Sequence, residues 1–275
     1  MLHGWLVIDT PAGPGSTAVV GAVKRALREG GYPRMKVGHG GTLDPLASGV
    51  LPVAIGEATK LCGRMLDADK EYAFTIRFGE ETDTLDAAGE VVARSDRRPT
   101  LAELEAALPL FTGEFEQMPP AFSALKVAGK RAYDLARAGE EVELKPRRVR
   151  VLTLSLRRSR ENGSDACEEA TLSATVSKGT YIRALARDIA RALDTVGHVT
   201  LLRRARAGPF ALDAAISLDK LSALATARGL EQALLPLAAG LDDIPALSVT
   251  PDQARLLRQG QKAIGTAAKP GLYLA

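Results

Sequence analysis

The chain has 275 residues, 46% of them hydrophobic and 25% charged, which is enough for one large domain or a large and a small one with a real core. No stretch approaches the ~18 uninterrupted apolar residues of a membrane span, and the opening MLHGWLVIDTPAGPG lacks the basic and apolar regions of a signal peptide. Two cysteines, Cys62 and Cys167, supply neither a disulfide framework nor a metal-ligand spacing and suit a reducing cytoplasm, while only three histidines argue against a zinc site. The formal net charge of +3 is unevenly spread, with an acidic excess over residues 60–119 and a basic excess over 120–210. Two readings stand: one face attracts a polyanion, or these are ordinary solvated faces.

In chain order, Trp5–Ile8 reads as a short buried strand ended by the turn-rich Pro11–Gly15. Ser16 or Thr17 is placed to N-cap a helix whose apolar positions Val19, Val20, Val23, Ala26 and Leu27 follow the helical period, and Gly30-Gly31 and Pro33 stop it. A glycine-rich segment, 38–61, follows. Tyr72–Phe78 alternates as a strand, and Glu90–Ala93 is expected to be its hairpin partner across an Asp/Gly turn. Thr100 with Glu103 forms a capping box before a helix through about Leu108. Residues 117–146, punctuated by Pro119-Pro120 and Gly129, read as an excursion from the core that carries a helix with Arg131, Tyr133 and Arg137. Val149–Leu156 and Ala170–Val176 should pair as strands. Tyr181–Leu193 has the pattern of an amphipathic helix, His198–Arg206 returns as a strand, and Ser217 with Asp219 starts a further helix. Long antiparallel-looking strands with separate helices argue for an α+β fold rather than a βαβ array.

Two glycine-rich loops invite a nucleotide reading, and neither sustains it. Gly13-Pro14-Gly15-Ser16-Thr17 lacks the lysine of a phosphate-cradling loop, and Gly38–Leu43 has Leu43 where the dinucleotide fingerprint needs its third glycine. The informative residue is Asp44. It follows glycines 38, 40 and 41, which allow close backbone approach, and Pro45 biases it away from helical geometry. A carboxylate on such a loop can act as nucleophile or base, or it can merely N-cap a short helix with Pro45 at its first position.

The segment GHGGTLDPLASGVLPVAIGEATK, residues 38–60, resembles the signature of the TruB family of pseudouridine synthases, which modify uridine 55 in the T loop of tRNA. Further blocks agree in the family's order: Lys70-Glu71-Tyr72, then Pro120–Lys126 with Gly129 and Arg131, then Ser177–Arg183, then HVTLLRR at 198–204. The resemblance runs from about Gly4 to beyond Arg206. Two departures stand out. Thr10 occupies the place of a family lysine, and beyond Leu247 the chain carries about half of the PUA-like RNA-binding domain with which the family commonly closes.

The resemblance implies a mixed α+β catalytic domain over residues 1–240, with a central, mainly antiparallel sheet and the RNA-contacting excursion 117–146, and a partial PUA-like segment over 241–275. It implies an isomerase that acts on the T stem-loop of tRNA without cofactor or metal, as a cytoplasmic monomer with no membrane attachment. By the same resemblance Asp44 is the catalytic carboxylate, Arg183 pairs with it, and Tyr72 stacks on the target uracil. Leu202 and Tyr181 wall the pocket, His39 inserts into the T loop, and Lys126, Arg131 and Arg137 hold the RNA. The alternatives are a noncatalytic RNA-binding or RNA-folding protein on the same fold, and a synthase directed to another RNA.

Overall fold

The structure is a computed structural model that describes residues 2–127, 129–140, 143–161, 165–265, 269 and 271–274, with only the backbone of Lys126 and of residues 158–161. Its elements follow from the pattern read above. Strand β1 is Gly4–Thr10, buried along almost its whole length. Helix α1, Ser16–Glu29, turns Val19, Val20, Val23, Ala26 and Leu27 inward. Gly15 rather than Ser16 or Thr17 is its N-cap, because the Ser16 hydroxyl is committed elsewhere, accepting from the backbone N–H of Leu43 at 2.8 Å.

The glycine-rich segment contains two strands that its composition concealed, β2 (Val37–His39) and β3 (Ala47–Ile55), followed by helix α2 (Cys62–Asp67). Strand β4 spans Lys70–Phe78. Its expected hairpin with residues 90–93 does not form. Both edges of β4 are taken by strands from the second half of the chain, so β5 (Glu80–Thr82) and β6 (Val91–Arg94) pair with each other in a separate ribbon. The Thr100–Glu103 capping box opens α3 (Leu101–Ala107). Strand β7 is Gly113–Gln117, the short β8 (Lys126–Val127) and β9 (Lys130–Arg131) form a hairpin, and α4 is Ala132–Arg137. Then come β10 (Arg147–Glu161), β11 (Cys167–Val176), α5 (Ile182–Ala192), β12 (Gly197–Ala207), β13 (Phe210–Ala211), α6 (Leu218–Thr226) and α7 (Pro251–Arg258).

Among the described residues, nine strands make one sheet in the order β1-β3-β12-β4-β11-β10-β7, with β2 on β3 and β13 on β12. Every pairing in it is antiparallel except β12 with β3. The sheet is therefore mixed but mainly antiparallel, and with its flanking helices it makes the expected α+β fold. β7 and β10 meet with Gln117 opposite Arg147, so the chain leaves the sheet edge at one and returns at the other.

The parallel β12–β3 contact depends on glycine. Gly49 has φ +103°, and a Cβ there would lie 2.2 Å from the carbonyl oxygen of Arg204. Arg204 itself is 1% exposed; its guanidinium donates to the carbonyls of Val50 (2.8 Å), Thr42 (3.2 Å) and Gly41 (3.1 Å). Three carbonyl dipoles thus solvate a cation removed from water, and in return they are held in place. Beside it Lys70 is buried, and its ammonium donates to the carbonyls of Leu66 and Ala68 at the C-terminal end of α2.

Both buried cations have measurable consequences. Arg204→Lys keeps the charge but cannot reach three carbonyls at once, so it should cost on the order of 2–4 kcal/mol in urea unfolding; an unshifted midpoint would show that the loop is anchored without this fork. Burial, reinforced by the Arg204 charge, lowers the Lys70 pKa from 10.5 to about 8. The unfolded chain therefore binds more protons than the folded one between those values. The native fold should gain stability as pH rises through that window. Lys70→Met should remove this part of the rise in pH-dependent melts.

Candidate active site

Asp44 sits at the entrance to β3. Its carbonyl accepts from the N–H of Ala47 at 2.9 Å, and Pro45 occupies the second position of the resulting turn. No helix begins here, so the capping role drops out. The carboxylate Oδ2 instead accepts from Arg183 Nε at 2.9 Å, across 139 residues of sequence. The loop that presents it is fastened on several sides. Leu43 is bonded to Ser16, Pro45 accepts from Gly13 N–H at 2.8 Å, and Gly41 and Thr42 accept from Arg204. Gly40 has no room for a side chain, since a Cβ would lie 2.5 Å from that of Met65.

Arg183 lies in the first turn of α5, a helix whose polar positions 183 and 187 are turned inward rather than solvated. Its side chain is 6% exposed. Nε meets Asp44; one terminal nitrogen donates to the Thr84 carbonyl at 2.7 Å and lies 3.3 Å from Asp86 Oδ2; the other donates to the Phe122 carbonyl at 3.0 Å. A single guanidinium therefore joins the Asp44 loop, the β5–β6 turn and the start of the excursion. Its two carboxylates are not equivalent. Asp86 is 8% exposed and tied by Oδ1 to Thr84 and the Ala88 N–H, whereas Asp44 is 34% exposed. Asp44 is the one a substrate can reach.

It faces a cavity of about 110 Å³ bounded by Thr42, Leu43, Tyr72, Thr180, Tyr181 and Leu202 among others. Tyr72 and Leu202 come from adjacent strands. Arg204 stands opposite Tyr72 and Leu202 opposite Phe74, which puts all four on one face of the sheet, beneath the Asp44 loop. Tyr181 is held by Gln117, whose side-chain amide accepts from the Tyr181 N–H at 2.9 Å and donates to its carbonyl at 3.2 Å. Burial pushes the Tyr181 phenol up. The result is a small chamber with one reachable carboxylate, aromatic and aliphatic walls, and room for a single planar base.

The structure thus brings Asp44, Arg183, Tyr72, Tyr181 and Leu202 together. His39 stands apart from this cavity, at the end of β2. Its Nδ1 accepts from the Gly41 N–H, and burial, with the Arg204 charge, holds the imidazole below its usual pKa. Arg131 and Arg137 flank the ring of Tyr133 at 5.7 and 5.6 Å on the excursion. The side chain of Lys126 lies outside the described residues. Asp86, Gln117 and Arg204 went unassigned in the sequence. Asp86 looked like an ordinary turn residue, and nothing local marks a glutamine or an arginine whose partners are distant. Among the described residues, no cluster of three His, Cys, Asp or Glu side chains is set to hold a metal ion, and no helix is long and apolar enough to cross a membrane.

Comparison with known proteins bears on the same residues. Residues 26–182 match the model of the TruB family pseudouridylate synthase N-terminal domain, and 183–242 that of the tRNA pseudouridylate synthase B C-terminal domain. The chain is 62% identical to the tRNA pseudouridine synthase B of Novosphingobium aromaticivorans, covering 100% of this chain and 90% of that protein. It is 58% identical to that of Zymomonas mobilis, covering 100% and 88%. Among solved structures, a Cbf5–Nop10–Gar1 complex superposes with a TM-score of 0.69 at 26% identity, over 94% of this chain and 68% of the other. An H/ACA ribonucleoprotein bound to a substrate RNA shares the fold, with a TM-score of 0.71 at 24% identity, over 94% and 67%. The motif resemblance was correct, and the chain belongs to the TruB family of pseudouridylate synthases.

Proposed function

We infer that this chain isomerises uridine 55 of tRNA to pseudouridine, with Asp44 as its catalytic carboxylate. The observation that carries the reading is the Asp44–Arg183 pair at a base-sized cavity beside Tyr72. The reaction breaks the bond between ribose C1′ and uracil N1, turns the base, and joins C1′ to C5. Atoms and oxidation state are conserved, so the chemistry calls for no redox partner or group donor. It does call for a carboxylate at the ribose or base and for a chamber that keeps the detached uracil.

Each neighbour then has a task. Arg183 aims Asp44, and Asp86 steadies Arg183 from the opposite side without itself meeting substrate. Tyr72 stacks on the uracil, while Leu202 and Tyr181 confine it. A uridine stacked inside a folded loop must first be flipped out, at a cost of a few kcal/mol recovered through stacking and phosphate contacts. In this reading His39 fills the space the base leaves, and Lys126, Arg131 and Arg137 hold the RNA from the excursion. Residues 1–240 act as the catalytic unit, and 241–275, as a PUA-like segment, adds affinity for RNA, since every proposed site residue lies before Gly208. The enzyme is read as a cytoplasmic monomer.

Asp44→Asn preserves size and turn-forming ability but removes charge and basicity. It should lower pseudouridine yield in a T-arm stem-loop by at least ~10⁴-fold, with tRNA binding and the thermal melt retained. Arg183→Lys should be milder, a loss of at least about tenfold, because an ammonium cannot hold both carboxylates and two carbonyls together. Appreciable turnover by a folded Asp44→Asn chain would sink the mechanism. Separately, replacing Lys126, Arg131 and Arg137 together by alanine should flatten the dependence of log affinity on log salt, as fewer counterions are released; an unchanged slope would place the RNA elsewhere.

A further inference from the structure

A second concavity, about 1120 Å³ and so far wider than the Asp44 chamber, lies between α1 and the segment leading into β2. Two sequence patterns converge on it. Lys24 and Arg28 are four residues apart on one face of α1, and Arg34 and Lys36 alternate with Met35 and Val37, which pack on the core. All four cations are exposed, and among the described residues none has a carboxylate within ion-pair distance, whereas Lys60, Arg64, Arg148 and Lys178 each do. Glu57 is engaged by Lys60, and Glu231 by the Tyr32 hydroxyl. Lys36 feels the Glu57 carboxylate at longer range, but a concave surface with four exposed cations outside any ion pair is an anion site on a large scale.

We propose that this cleft is a second RNA contact of the enzyme, taking backbone phosphates of the duplex stem that carries the target loop. The inference rests on the tRNA reading above and extends it to a part of the substrate not assigned to any residue so far. The position of the cleft favours this. His39 lines it, and five residues later in the same loop Asp44 lines the reaction chamber, so the two are at most about 18 Å apart along the chain. An RNA whose flipped base sits at Asp44 can therefore lay neighbouring phosphates on this surface. The cleft is suited to backbone rather than bases. Its described aromatic rings are only two: Tyr32, tied by its hydroxyl to Glu231 and the Leu230 N–H, and His39, held through Nδ1 by the Gly41 N–H, so it offers no row of rings for stacking single-stranded bases.

The test compares the native chain with the variant K24Q/R28Q/R34Q/K36Q in binding a tRNA transcript over a range of salt. Each phosphate that the variant no longer neutralises should reduce the slope of log affinity against log salt by about 0.9, so the variant should be flatter by about two to four and bind at least about tenfold more weakly at ~0.1 M salt. Equal slopes and affinities for two chains with matching melts would overturn the proposal. A measurement that needs no variant accompanies it. Cys62 lines the cleft while Cys167 is buried, so saturating tRNA should slow alkylation of Cys62 in the native chain several-fold, and unchanged labelling would likewise overturn it. With an oligonucleotide limited to the loop, the two chains should bind alike; a persisting difference would refute the assignment to the stem. Pseudouridine formed by the native chain in the same transcript is scored in parallel. Binding with the expected slopes but without product would overturn the reaction and leave the RNA surface supported.

Discussion

A guanidinium taken out of water has to find an acceptor for each of its edges, and at Arg183 those acceptors come from three separate parts of the chain: Asp44, the Thr84–Asp86 turn and Phe122. The demand is mutual. Asp44 has a defined direction only because Arg183 is immobilised, and Arg183 is immobilised only because its other nitrogens are occupied. A planar fork suits the task where an ammonium does not, since its donors lie at fixed angles and transmit the geometry of one segment to the next. The carboxylate left partly exposed is the one at the cavity, and the buried one braces the cation from behind.

Around this pair the fold repeats the same device. Arg204 reaches from β12 to the carbonyls of Gly41 and Thr42, Arg187 reaches from α5 to the carbonyl of Met118, and Gln117 brackets the backbone of Tyr181. Irregular backbone at a site leaves N–H and C=O groups without a ladder, and long polar side chains rooted in regular elements supply the missing partners. The loop of Asp44 is in this sense part of the sheet's rigid body, although it belongs to no strand. The boundary between the two matched family segments falls within α5, yet β12 from the later segment pairs with β3 and β4 from the earlier one. The Asp44–Arg183 ion pair spans that boundary.

Positive charge is disposed differently at the centre and at the periphery. Arg183, Arg187 and Arg204 are buried and matched with carbonyls or carboxylates, so they shape the protein. Lys24, Arg28, Arg34 and Lys36, and the exposed arginines of the excursion, Arg131 and Arg137, stand in solvent, where they can exchange counterions for phosphates. In the proposed reading, the basic residues of the excursion and those beside His39 hold two parts of one RNA, which suits a substrate that is a folded stem and loop rather than an extended strand.

The amino-acid order alone was enough for the family, the α+β class, β1, α1, α3, the β10–β11 pair, α5 and β12, because these rest on local period, caps and turn residues. It was also enough to single out Asp44, through a long motif. It misplaced the partner of β4 and missed β2 and β3, since strand pairing is settled by which edges remain open in three dimensions, and glycines that depress strand propensity at 38–49 are there for close approach. Asp86 and Gln117 carry no local mark at all, and Arg204 only its place at the end of the HVTLLRR block, which says nothing of its carbonyl partners. The tertiary structure alone decided that Asp86 faces the same guanidinium as Asp44, that an arginine on an apparently solvated helix stripe is buried, and that four scattered cations from α1 and the segment before β2 share one cleft. Each is a contact between residues far apart in sequence, and only the closing of the sheet brings them within a hydrogen bond's or a phosphate's reach.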